Sequence, residues 1–124
     1  VSSSYTFFTQ PQPNPEGNRQ RVHLLKTWPS PFDAVWGGVK TAEYRDNLDR
    51  DFRAGDLLLL REYRPESAFY TGRTMVADVS HVQGEGFGIP ANFAVLSIRV
   101  FGWYNARTVN NVPSQVAEWL SRAS

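Results

Sequence analysis

Lys40-Thr41-Ala42-Glu43-Tyr44-Arg45 is the densest group of side chains in this chain able to do chemistry, flanked by His23 and Lys26 upstream and by Asn47, Asp49 and Arg50 downstream. If Thr41 to Arg45 is a strand, its period of two puts Glu43 and Arg45 on one face, beside Lys40 at its start. A lysine, a carboxylate and an arginine converging on a cleft can bind an anion or the edge of a nucleobase. They can also do acid–base work, because burial among like charges lowers a lysine pKa. The same spacing describes a surface cross-strand ion pair of little energetic worth, and spacing alone leaves both readings open. The alternation further predicts that Ala42 and Tyr44 are buried and that Glu43 and Arg45 are exposed.

The remaining candidates are fewer. His23 and His81 are the only histidines and cysteine is absent. A disulfide scaffold, a thiol nucleophile and a Cys-based zinc site are thereby excluded, and neither a metal nor a cofactor is expected. His23 is either a hydrogen-bonding or acidic group on the cleft floor or a satisfied core histidine. Gly84-Glu85-Gly86-Phe87-Gly88 lacks the Lys-Ser/Thr ending of a phosphate loop and reads as a flexible rim or a plain hairpin connection. Trp28, Trp36, Tyr44, Phe69 and Tyr70 offer rings for base stacking, but in so small a domain most aromatics must build the core, leaving one or two free.

The elements that position these residues fit one domain of 124 residues. A hydrophobic fraction of 41%, with 8 Phe, 5 Tyr and 4 Trp, is enough for a core and too much for a disordered chain. Thirteen Lys+Arg against 12 Asp+Glu lack the strongly basic footprint of a generic nucleic-acid binder. The longest apolar run, Leu57 to Leu60, is far short of the roughly 20 residues of a membrane helix. No basic-then-apolar leader opens the chain, so a soluble, cytoplasmic domain is expected. Residues 1–20, with Ser2-Ser3-Ser4, Pro11, Pro13 and Pro15, read as a flexible arm that Tyr5, Phe7 or Phe8 can pin, and residues 21–124 as the domain.

Within the domain, Val22–Lys26 is a strand. A helix starts at Ser30 as N-cap with Pro31 first, buries Phe32, Val35 and Trp36, and stops at Gly37-Gly38. Leu57–Tyr63, Arg73–Val82 and Ala94–Phe101 are further strands, the leucine run being covered on both faces. Ser114–Arg122 is a closing helix with Val116, Trp119 and Leu120 on one side. The sum is a mixed α/β fold: a small barrel of about five to six strands with two or three short helices.

His23-Leu24-Leu25-Lys26, Pro29 and Phe32, Gly38-Val39-Lys40-Thr41-Ala42-Glu43-Tyr44-Arg45, Asp49-Arg50-Asp51-Phe52, Gly55-Asp56-Leu57-Leu58-Leu59 and Tyr70-Thr71-Gly72-Arg73 occur in that order. Together they resemble the ASCH family of the PUA-like superfamily, in a bacterial and phage branch of unassigned function. The resemblance spans about residues 22 to 100. It departs at Leu48, which separates Asn47 from Asp49-Arg50 where the branch runs Asn-Asp-Arg without interruption.

The resemblance implies a PUA-like barrel that reads RNA or modified bases in a cleft between barrel and helices. It also implies two activities known among ASCH members, hydrolysis of N4-acetylcytidine and cleavage of single-stranded RNA. A lysine, a threonine and a glutamate carry the first; Lys40 matches the lysine, and Glu43 stands in the threonine's place. The resulting expectation is nucleic-acid binding in a cleft lined by His23, Lys26, Lys40, Glu43, Arg45 and Asn47, with Arg50 and Arg73 on phosphates at its edge. The alternatives are a hydrolase in which Glu43 polarises Lys40, and a phage or bacterial protein-interaction module using the arm and the last helix.

Overall fold

Four consecutive leucines can be buried together only in a strand covered on both faces, and Leu57 to Leu60 divide in this way: Leu58 and Leu60 enter one core, Leu57 and Leu59 a second. The structure, a computed structural model, describes residues 4–12, 20–46, 50–106 and 112–124. Its elements are β1 (Ser4–Phe7), β2 (Val22–Thr27), α1 (Pro29–Trp36), β3 (Ala42–Asp46), β4 (Leu57–Arg64), β5 (Phe69–Gln83), β6 (Phe93–Asn105) and α2 (Ser114–Ser121). This is the expected mixed α/β fold. Among the described residues no helix is long and apolar enough to cross a membrane.

The six-stranded sheet runs β1-β6-β5-β4-β2, with β3 also on β6. β3 pairs with Phe93–Ser97 of β6 and β1 with Gly102–Asn105, so the two short strands share one edge of the long one. β2 and β4 are parallel; the other pairs are antiparallel. Among the described residues no backbone ladder joins β3 to β2, so the sheet is unclosed. Instead Arg45, near the end of β3, crosses to the end of β2 and donates to the Lys26 carbonyl at 3.2 Å and the Thr27 hydroxyl at 3.4 Å.

α1 begins two residues earlier than its sequence signals suggest. Trp28, not Ser30, is the N-cap, in extended conformation, and Pro29 takes the first helical position, where its missing N–H costs nothing. Phe32 and Val35 seat the helix on the first core with Leu25, Leu58, Leu60, Met75 and Leu96. After Gly38, whose φ of 76° suits glycine, the backbone N–H groups of Val39 and Lys40 both donate to the Ala34 carbonyl at 3.0 Å. Those bonds fix where Lys40 enters β3.

The second core holds Val22, Val76, Phe101, Tyr104, Val116 and Trp119 under α2. Part of the expected flexible arm is ordered by it: β1 pairs with β6, and the Phe7 ring packs on Phe101 and Trp119. Phe8, by contrast, is exposed. A Cβ on Gly102 would collide with the Phe7 ring and lie 2.9 Å from the Thr6 carbonyl oxygen. Gly102→Ala is therefore expected to push β1 off β6 and cost about 1–3 kcal/mol, read by urea denaturation; an unchanged midpoint would mean that β1 adds nothing to stability.

Candidate functional site

Glu43 faces into the first core, opposite Leu96 of β6, and is only 2% exposed, while Tyr44 is 53% exposed. The expected facing of β3 is thus reversed. A carboxylate can be buried when both oxygens are bonded, and Glu43 meets that condition. Lys40 Nζ donates to Oε1 at 2.8 Å and Arg45 Nε to Oε2 at 3.0 Å. Tyr44 can stay outside because its ring stacks on Phe93 at 5.3 Å. Lys40 and Arg45 keep 34% and 25% of their side-chain surface in water, so the buried anion carries two cations to the rim. The net excess of one positive charge leaves N–H donors facing solvent.

Arg45 extends the network to Thr27, which is buried and pairs in register with Glu62 of β4. Glu62, also buried, accepts from the Thr71 hydroxyl at 2.7 Å and from Arg73 Nε and Nη2 at 2.9 and 2.7 Å. Arg73 Nη2 also donates to Asp33 of α1 at 3.2 Å, and its guanidinium lies 4.9 Å from the Phe32 ring centre. Hydrogen bonds from Arg73 hold the Glu62 carboxyl below the usual carboxylate range, and the same pairing raises the Arg73 pKa. A polar strip therefore runs from Lys40 through Glu43, Arg45, Thr27 and Glu62 to Arg73, along one end of the first core.

The structure does not bring His23, the Lys26 ammonium or Arg50 to this strip. His23 is buried in the core, bonded through Nε2 to Asp56 at 2.9 Å with its ring 4.6 Å from that of Phe52. It is four residues from Thr27, about 13 Å along the strand, so it lies in the core away from the strip, with Nε2 bonded and Nδ1 left without a partner among the described residues. Lys26 offers only its carbonyl to Arg45; its ammonium lies over the Tyr63 ring, beyond the opposite face of the sheet. Arg50 donates to the Ser124 carbonyl at 2.7 Å, tying the chain end beside the start of β2. Asn47 and Leu48 lie outside the described residues.

Thr27, Asp33 and Glu62 were not among the expected site residues. Glu62 had a signal: in a strand buried on both faces it shares a side with Leu58 and Leu60, and a carboxylate there needs a cation such as Arg73. All five candidate stacking rings, not one or two, are exposed. Trp36 and Tyr70 already contact Trp103 and Tyr63. Trp28 has no ring partner among the described residues and directly follows Thr27. The Gly-rich segment is a hairpin connection between β5 and β6, closed by paired backbone bonds between Gly86 and Ile89. Among the described residues no three His, Asp or Glu side chains gather as they would around a metal ion.

Fold and site define a small mixed α/β domain whose open sheet end carries a buried carboxylate clamped by two half-exposed cations. The chain belongs to the family described as a domain of unknown function, DUF3850, whose model matches residues 22–98. The whole polar strip from Thr27 to Arg73 falls inside that span, and α2 falls outside it. No curated protein matches the chain.

Proposed function

We propose that this is a cytoplasmic nucleic-acid-binding domain of ASCH, PUA-like type, holding one nucleoside unit of an RNA or modified base at the rim where Lys40, Glu43 and Arg45 meet. The observation that carries the reading is the Glu43 clamp. A carboxylate fixed by bonds of 2.8 and 3.0 Å orients two cations that still face water. Such a group suits the acceptor-rich edge of a base or a single phosphate, and the exposed Trp28, next in sequence to Thr27, offers a ring for stacking. The barrel part of the reading is supported by Arg45, which spans the gap between β3 and β2 that a closed barrel would bridge by backbone.

The first test is binding of nucleosides and short single strands to the wild type and to Lys40→Gln, which can keep a donor toward Glu43 but loses the charge. A loss of roughly ten- to a hundredfold is expected, the worth of a charge-assisted contact. Unchanged affinity would remove Lys40 from the site.

A hydrolase is the second reading, favoured by the direct Lys40–Glu43 bond and by the Thr27 hydroxyl held by the same Arg45. Lys40 would act as base or proton donor and Glu43 would polarise it. Incubation with N4-acetylcytidine and with single-stranded RNA separates the two readings: sustained turnover lost in Lys40→Gln would replace binder by enzyme.

A further inference from the structure

The face of the sheet opposite Glu43 carries a second unusual arrangement of charge. Arg21, Lys40, Arg45, Arg53, Arg64, Arg73, Arg99 and Arg122 each pair with a carboxylate. Lys26 and Arg61 pair with none among the described residues, although they are register partners on adjacent strands and so share a face. Each lies over a tyrosine instead: Lys26 Nζ is 4.2 Å from the Tyr63 ring centre, and the Arg61 guanidinium is 3.9 Å from that of Tyr70. The two rings meet edge to face at 5.0 Å. Like charges side by side on neighbouring strands repel, and two ring faces offset only part of that repulsion.

Beside Arg61, and not lined by Lys26, a cavity of about 290 Å³ opens between the sheet and the C-terminal end of α2. Leu24 and Leu120 supply apolar wall, and Thr74 and Tyr104 supply hydroxyls. Arg61 and Tyr70 border it. Among the described residues the one carboxylate on its border is Glu62, whose oxygens are taken by Thr71 and by Arg73, which borders the cavity too. A cavity of this size holds one small molecule and no polymer. Tyr104 and Leu120 lie beyond residue 98, so the cavity combines strands of the matched family span with walls that the span does not include.

We propose that this cavity binds a small organic monophosphate, its body between Leu24 and Leu120 and its phosphate on Arg61 at the border, on the side toward the neighbouring Lys26. Two adjacent cations match a dianion better than a single carboxylate, and an ammonium beside a guanidinium supplies both a point charge and a planar fork. Lys40, Glu43 and Arg45 do not border this cavity, although Glu62 and Arg73, at the far end of their polar strip, do.

The test is calorimetric titration of the full chain with phenyl phosphate, phenol and inorganic phosphate, none of them a nucleoside. Phenyl phosphate is expected to bind saturably, at least tenfold more tightly than phenol or free phosphate. Lys26→Gln and Arg61→Gln should each weaken that binding roughly ten- to a hundredfold, and Lys40→Gln should leave it unchanged. Lys26 is exposed, so its variant carries the test even if Arg61→Gln does not fold. Equal binding of phenol and phenyl phosphate, retained affinity in Lys26→Gln, loss of affinity in Lys40→Gln, or no saturable binding of phenyl phosphate would each overturn the proposal.

Discussion

Arg73→Ala should lower folding stability by about 3 kcal/mol near neutral pH, toward the lower end of what an abandoned buried charge costs because water already reaches part of the arginine. Glu62 is 2% exposed, and without Arg73 it would keep only the Thr71 hydroxyl. The pH dependence should change sign as well. In the wild type the Glu62 pKa is lowered from its ordinary 4.5 by the Arg73 hydrogen bonds. Its contribution is therefore complete above that value and lost as pH falls through the lowered one. In the variant the unpaired buried carboxyl shifts the other way, so its penalty shrinks on acidification. Urea denaturation at several pH values would show the gap between wild type and variant closing toward acid. A gap that is small and independent of pH would contradict the buried pairing.

Phe32→Ala should cost about 3–5 kcal/mol, the usual toll for emptying a large core site. Phe32 is fully buried, carries the Arg73 guanidinium on its ring and stacks with Trp36 at 6.4 Å. Loss of that anchor should also speed amide exchange in α1 and loosen the Ala34 carbonyl, on which the entry of Lys40 depends. Ligand affinity at the clamp should fall together with stability. A loss below about 1 kcal/mol would mean that α1 is held elsewhere.

The elements that could be read from the residues are those whose burial sets a period. Leu57 to Leu60 announced a doubly covered strand, and Val116 and Trp119 an amphipathic closing helix; both are as expected. Strands defined by their partners were not legible. Ser4–Phe7 has no pattern of its own and exists because β6 offers an edge and Gly102 a gap. β6 runs on to Asn105, beyond the expected Phe101, because β1 and β5 hold it from both sides. At the site, the spacing placed Glu43 and Arg45 on one face, but hydrophobicity alone chose the wrong face to bury. Two cations at hydrogen-bonding distance outweigh the apolar gain of burying Tyr44. Glu62 escaped notice because its partner Arg73 is eleven residues away on the next strand.

Salt-dependent titration of a labelled single-stranded oligonucleotide tests the central claim most directly. With Lys26 on the opposite face and Arg50 engaged by Ser124, Lys40 and Arg45 are the cations left to meet phosphate at the clamp. At about 0.7 per neutralised phosphate of a single strand, the logarithmic slope should have a magnitude of about 1–1.5, with a preference for base identity or modification that Lys40→Gln abolishes. A slope several times steeper with no base preference, or no binding even at low salt, would contradict the account.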